Sequence, residues 1–265
     1  MLTEITPLIL TFNEVANIER TLERLSWAED IVVVDSGSTD GTRELLGHLP
    51  KVRVFERTFT SHAEQWNFGL SQTDIRTEWI LALDADYVLS EPLIEELTLL
   101  PTKAEPAGYR ACFTYCIEGA PLRGAAYPPH VVLYRRRLAH YFQDGHTQRL
   151  RLNGPIHSLQ ANIFHDDRKP LDQWLAAQAR YMRLESDKLL TTPLDTLSPA
   201  DRLRRLIVVA PVAMLFYCLF VRGNIFDGRA GIFYALQRAT AEAILSLYLL
   251  QRKLGARDRR HTRSD

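Results

Sequence analysis

Four short apolar runs, spaced by stretches with helical periodicity, constrain this chain more than any other feature. Residues 5–10, 31–34, 52–55 and 79–83 have strand length. Ile31-Val32-Val33-Val34 is β-branched throughout, as in a central strand buried on both faces. Between the first two runs, Val15, Ile18, Leu22 and Leu25 recur at helical spacing, with Glu19, Arg20, Glu23 and Arg24 on the other side. A second helix is expected through Leu45 and Leu46, and a third over residues 62–70. Strands alternating with helices of this length predict a parallel sheet with right-handed crossovers. In such sheets ligands bind beyond the C-terminal strand ends, so the tips after Leu10, Val34 and Leu83 should meet in one crevice.

Those tips carry the chemistry. The fourth run stops at Asp84-Ala85-Asp86, and residues two apart on a strand point the same way. Two carboxylates held close repel unless a metal or a proton neutralises them. Carboxylates with room left for phosphate oxygens suit Mg²⁺ or Mn²⁺. Taken alone, the pair is equally an acidic turn; its place at the binding edge makes it part of a site. The second run ends in Asp35-Ser36-Gly37-Ser38-Thr39-Asp40-Gly41-Thr42. This loop resembles a nucleotide-contact turn in which Asp35 accepts a hydrogen bond from a base N–H, while Ser38, Thr39 or Asp40 caps the next helix. The Gly-Lys-Ser/Thr ending of a P-loop is absent, and no Gly-x-Gly-x-x-Gly follows the first strand, which argues against dinucleotide cofactors.

Beyond residue 108 the pattern changes. Residues 109–117 and 130–134 read as strands, with antiparallel pairing open to them and Pro121, Pro128 and Pro129 marking loops. Residues 170–190 form a helical pattern and 191–199 a Pro/Thr/Ser-rich link. The run 206–221 is uncharged, but it is interrupted by Pro211 and spans only about 24 Å as a helix. The second apolar stretch, 231–250, contains Arg238 and Glu242, which do not suit a lipid-exposed span. The formal net charge is zero, yet residues 201–265 hold twelve Lys/Arg against five Asp/Glu. A basic end beside apolar helices favours an anionic membrane surface over nucleic acid. A helical hairpin at the membrane interface is therefore expected, with a hairpin covering the sheet or a short re-entrant helix as the alternatives. Cys112, Cys116 and Cys218 form no disulfide framework, and the first apolar run is too short for a signal peptide. The expected domains are 1–190, an apolar hairpin at 200–252 and a basic tail at 253–265.

Thr11-Phe12-Asn13-Glu14, the 32–42 segment and Asp84-Ala85-Asp86, in this order and spacing, resemble the family 2 glycosyltransferases. His62-Ala63-Glu64-Gln65-Trp66-Asn67-Phe68-Gly69-Leu70 is similar to the donor-side helix of that family. Gly145-His146-Thr147-Gln148, His165-Asp166-Asp167-Arg168-Lys169-Pro170-Leu171 and Gly223-Asn224-Ile225-Phe226-Asp227-Gly228 are similar to the bacterial lipopolysaccharide core β-1,4-glucosyltransferases. The resemblance implies an α/β GT-A fold, with a Rossmann-like, mostly parallel sheet flanked by helices and a C-terminal helical hairpin appendage. It implies that Asp35 lies near the nucleobase, that Thr11, Phe12 and Asn13 line the same pocket, and that Gln65 and Asn67 serve the donor. Asp84 would approach the ribose or the metal, and Asp86 would bind a Mg²⁺ or Mn²⁺ that bridges the diphosphate. The implied reaction is an inverting transfer, with UDP-glucose as donor and a lipopolysaccharide core or other lipid-linked saccharide as acceptor, on the cytoplasmic face of the inner membrane. Ser36 departs from the family, since many relatives carry a second acidic residue there.

The acceptor's proton needs a base, and the Glu-Asp pair common in relatives is absent between residues 100 and 170. Asp144-Gly145-His146 offers a carboxylate and an imidazole instead, and Asp144 and His146 are equal candidates. His165, or less readily His157, could complete the metal shell or orient the acceptor. Arg135 and Arg136 could contact diphosphate or lie in solvent. A non-catalytic scaffold of the same fold stays open. A phosphatase would need its Asp-x-Asp pair after the first strand, and a nucleotidyltransferase a basic Gly-rich first loop; neither is present.

Overall fold

The computed structural model describes residues 1–101, 105–145 and 147–261. The chain forms two compact units: Met1–Pro121 with Tyr127–Lys169, and Leu122–Ala126 with Pro170–Asp265.

The first unit is built on a nine-stranded sheet. In chain order its elements are β1 (Ile5–Thr11), α1 (Ile18–Glu23), β2 (Ile31–Asp35), α2 (Thr42–Gly47), β3 (Val52–Glu56), α3 (His62–Gln72) and β4 (Trp79–Asp84). There follow β5 (Tyr87–Leu89), α4 (Glu91–Leu99), β6 (Gly108–Ile117), β7 (Ala120–Pro121), β8 (His130–Arg135), β9 (Ala139–Asp144), β10 (Thr147–Leu152) and β11 (Ile156–His165). The strand order is β3-β2-β1-β4-β8-β6-β11-β5, with β7 on β6 and a separate β9–β10 hairpin. The first four strands are parallel, as the alternating pattern predicts. β8 then pairs antiparallel with both β4 and β6.

Strand alternation explains how this sheet is buried. Ile5, Ile9, Val33, Leu81 and Leu83 face α1 and α4, packing on Ile18, Leu22, Leu25, Leu93 and Leu97. Leu8, Val32, Val34, Ile80 and Ala82 face the other way, onto Ala63, Trp66 and Leu70 of α3. Each fully buried aliphatic side chain contributes about 1.5–3 kcal/mol relative to exposure. α3 lies so close to β1 that a Cβ at Gly69 would sit 2.8 Å from the Leu8 methyls.

Register places the site. β1 lies between β2 and β4, aligning Thr11 with Asp35 and Leu10 with Asp84. The chain moves outward through β2 and β3, then returns to the other side of β1 as β4. That reversal makes the carboxyl ends of β1 and β4 a topological switch point, where sheets of this kind bind ligands.

The second unit contains α5 (Leu171–Thr191), α6 (Pro199–Arg204), α7 (Val209–Phe216) and α8 (Gly228–His261). The long helix expected to close the 1–190 domain groups instead with the C-terminal helices, because Met182 and Leu189 are buried with Ile207, Leu245 and Leu249. Pro211 does not break the apolar run. It falls in the first turn of α7, where a missing N–H costs nothing, and the helix continues as a π-turn over Tyr217–Val221. α8 begins against a 3₁₀ turn, Asn224–Asp227, so tightly that a Cβ at Gly231 would meet the Asn224 carbonyl oxygen at 1.9 Å. Arg204 is the polar centre of this unit. Its guanidinium donates to Glu242 at 2.6 Å and to Glu185 at 3.3 Å, and both carboxylates are buried.

Candidate active site

The β1 and β2 tips are bound to each other. Asp35, fully buried, accepts from the Thr11 hydroxyl at 2.9 Å, the Ser38 hydroxyl at 2.5 Å, the Gly37 amide at 3.0 Å and the Ser38 amide at 2.8 Å. Four donors fill the usual acceptor capacity of a carboxylate. Asp35 thus shapes the loop, and a base N–H would have to replace one of these donors. Asn13 has a φ of 56°, a left-handed conformation that Asn tolerates better than most residues. Its amide N–H donates to Ser38 Oγ, and its side-chain oxygen accepts from the Thr39 amide. Phe12, between these two residues, is exposed at 42%. Gln65 reaches the same loop from α3, donating to Ser36 Oγ at 2.8 Å and to the Arg57 carbonyl at 3.0 Å. Asn67 is engaged elsewhere. Its amide group donates to the Tyr141 carbonyl and accepts from the Tyr141 N–H, fastening β9 to α3.

At the end of β4 the charges are left incomplete. Asp86 Oδ2 meets His165 Nε2 at 3.1 Å, while Asp86 Oδ1 and His165 Nδ1 are buried without partners. Burial and the adjacent Asp86 push Asp84 up to about 6. Burial also opposes ionisation of Asp86, but the charge and hydrogen bond of His165 outweigh it and hold Asp86 below the ordinary carboxylate value. Burial disfavours the His165 cation in turn, and Asp86 outweighs that, raising the imidazole above its usual value. His165 thus bonds Asp86 directly and acts on Asp84 through its charge alone.

Two residues that were not site candidates on sequence grounds adjoin this cluster. Lys169 Nζ donates to Glu14 Oε1 at 2.6 Å, and Asn17 donates to Glu14 Oε2 at 2.9 Å. Burial lifts Glu14 to about 8, with Lys169 opposing and Asp86 reinforcing the shift. Burial works against the Lys169 cation, but Glu14, Asp167 and Asp86 outweigh it and raise its pKa. The rest of the 165–169 segment is latched in place. Asp166 accepts from Arg20 at 2.6 Å, Arg168 at 3.0 Å and the Gly119 amide at 3.0 Å, and its own N–H donates to the Asp86 carbonyl. Asp167 accepts from Asn17 at 2.8 Å.

The remaining sequence candidates separate. Asp144 ends β9 and pairs with Arg149 across the hairpin; no described contact brings it to Asp84 or Asp86. His146 lies outside the described residues. His157 lies at the opposite end of β11 from His165, edge-on to Tyr109. Arg135 stacks over Trp79 at the start of β4, and Arg136 donates to the Leu70 carbonyl, so both serve the edge remote from the carboxyl end of β4. Among the described residues, no three or more His, Cys, Asp or Glu side chains converge as a protein-only metal cage.

The profile of Glycosyl transferase family 2 matches residues 8–156. The lipopolysaccharide core biosynthesis glycosyltransferase LpsC of Rhizobium meliloti (strain 1021) is 26% identical over 261 residues, spanning 92% of this chain and 91% of that protein. An uncharacterized glycosyltransferase of Rickettsia bellii (strain RML369-C) is 36% identical over 95 residues, or 36% of this chain and 31% of that protein. The crystal structure of S. aureus TarS 1–349 aligns with a TM-score of 0.47 at 14% identity, covering 95% of this chain and 91% of that one. Its complex with UDP-GlcNAc aligns with the same score and identity, covering 95% and 92%.

Proposed function

From the premise that the chain belongs to glycosyltransferase family 2, we propose that it transfers a sugar, with inversion, from a nucleotide-sugar to a lipopolysaccharide core saccharide. The observation that carries the reading is the Asp84–Asp86 pair at the carboxyl ends of β1 and β4, with one buried Asp86 oxygen left unpartnered. The likeness to the Rhizobium protein over nearly the whole of both chains supports the acceptor class. UDP-glucose is the donor to test first, on the sequence resemblance.

Mg²⁺ or Mn²⁺ suits the donor set. Such ions commonly take one or two carboxylates and complete their shell with water and substrate phosphates, so the lack of a protein-only cage is no obstacle. Asp86 through Oδ1 and Asp84 would hold the ion, and His165 would orient Asp86 from its other oxygen. When bound, the ion supplies counter-charge for the leaving diphosphate. Lys169 stands beside the same carboxylates as a fixed cation, and the Asp35 loop sets the nucleoside side. Gln65, Asn13 and Thr11 keep that loop in shape.

The second unit is the membrane-facing part of the proposal. No single helix among the described residues is long and apolar enough to cross a membrane, but Val209–Val221 with Asn224–Gly255 passes as a pair bent by 70°. Val209, Val212, Phe216, Phe220 and Val221 are exposed on the first arm, with Arg202 and Arg205 before it. That pattern suits a hairpin resting on an anionic bilayer at the cytoplasmic face of the inner membrane.

The decisive experiment incubates the protein with UDP-, dTDP- and GDP-sugars and core oligosaccharide, then measures nucleoside diphosphate release and product mass. Release only with acceptor and a divalent ion is expected; undiminished turnover in EDTA would remove the metal from the reading. In a vesicle-flotation assay, Phe216→Ser with Phe220→Ser should lower binding to anionic liposomes severalfold, and unchanged binding would refute the interface.

A further inference from the structure

The edge of the sheet at which β4 ends also holds an imidazole without a described hydrogen-bond partner. β8 runs antiparallel to β4, so its first residue, His130, lies at the edge where β4 ends in Asp84. The His130 ring packs edge-on against Tyr127, with centroids 5.1 Å apart, and against Phe113 at 5.6 Å. Tyr127 in turn packs on His165 at 4.6 Å and shares a hydrogen bond with the Tyr87 hydroxyl. One aromatic ring thus separates His130 from the imidazole that holds Asp86. His130 is exposed, and among the described residues neither of its ring nitrogens has a hydrogen-bond partner. Partial shielding of the ring by its aromatic neighbours, and then the His165 charge, lower its pKa, which favours the free base.

Most of the carboxyl groups at this edge are otherwise engaged, Glu118 in the turn after β6 being exposed. Asp35 accepts four hydrogen bonds, Asp166 and Asp167 are latched to Arg20, Arg168 and Asn17, and Glu14 holds Lys169. Asp84 and Asp86 face the leaving group in the proposed reaction, and Asp144 pairs with Arg149. A base must reach the acceptor hydroxyl from the side opposite the departing diphosphate.

We propose that His130 is this general base, with Tyr127 and Phe113 forming the aromatic floor on which the acceptor sugar rests. The proposal builds on the sugar-transfer reading above. The acceptor oxygen forms a bond to C1 of the donor sugar, and the C1–O bond to diphosphate breaks, its electron pair leaving with the nucleoside diphosphate. The hydroxyl proton passes to a His130 ring nitrogen and from there to solvent.

The test compares the full-length wild type with His130→Ala and His130→Gln, using UDP-glucose and deacylated core oligosaccharide. Both variants should retain the wild-type melting temperature and bind UDP-glucose within about twofold by calorimetry. Transfer should fall by about 10²–10⁴-fold, the usual worth of a general base. Added imidazole should restore part of the His130→Ala rate, a response that a purely structural residue would not give. If the wild type transfers and His130→Ala stays within about fivefold of it, the base assignment is overturned and the transfer reading stands. Loss of rate without imidazole rescue, together with lost donor binding, also overturns it. A wild type that releases no diphosphate from any nucleotide-sugar overturns both.

Discussion

Each unit of this protein holds a cluster of buried charge, and the two clusters differ. In the second unit, Arg204 is surrounded by Glu242, Glu185 and Asp201. In the first, His165 bonds Asp86 but not Asp84, and polar atoms on Asp86 and His165 are left without partners. A saturated network fixes packing, whereas an unsaturated one keeps capacity for a ligand. The contrast also separates residues within the first unit. Asp35 is as saturated as the Arg204 cluster, although it lies at the same sheet edge as Asp86.

Replacing single members of each cluster tests the contrast, beginning with the largest expected effect. Asp86→Asn should lower transfer by about 10³-fold, comparable to removing a group that stabilises transition-state charge, while shifting the melting temperature only slightly. Normal turnover in that variant would make the unsaturated cluster structural as well. Arg204→Ala should cost about 3–5 kcal/mol in denaturant unfolding, because Glu242 is left buried and unpaired. Replacing Arg204, Glu242 and Glu185 together by Met, Leu and Leu should recover most of that loss, as apolar substitutes for buried ion pairs do. Thr11→Val removes one hydrogen bond to a charged acceptor and should cost about 2 kcal/mol. Its effect on UDP-glucose affinity, read by calorimetry, should stay within a few-fold if Asp35 serves chiefly to hold the loop.

What could be read from the sequence follows the range of the interactions. The four parallel strands and their binding edge were legible because each strand announces itself in a few adjacent residues, and the sheet rules do the rest. His165 stands out in the sequence as a candidate metal ligand or acceptor-orienting group, and its contact in the structure is with Asp86. The Glu14–Lys169 pair was not legible: it joins residues 155 positions apart, and neither position has a local pattern that names the other. The base was sought at Asp144 and His146 because a carboxylate and an imidazole stand two apart there. Asp144 proved to be tied into a hairpin. His130 was passed over as the start of a strand, since only the antiparallel insertion of β8 beside β4 brings it to the edge where β4 ends. Asn67 illustrates the same limit, because its partner is the backbone of a strand that arrives 74 residues later.

The five residues Leu122–Ala126 have a consequence for how this protein can be divided. They interrupt the first unit in sequence yet belong to the second, where Arg222 donates to the Ala125 carbonyl, Asn224 to the Gly124 carbonyl and the Ala126 amide to the Tyr234 hydroxyl. A gene truncated after residue 169 would still encode every strand of the sheet, but the loop between β7 and β8 would have lost its anchors. That loop leads directly into Tyr127 and His130. Cutting the chain at that point would therefore remove support from a segment that the sheet unit needs to keep.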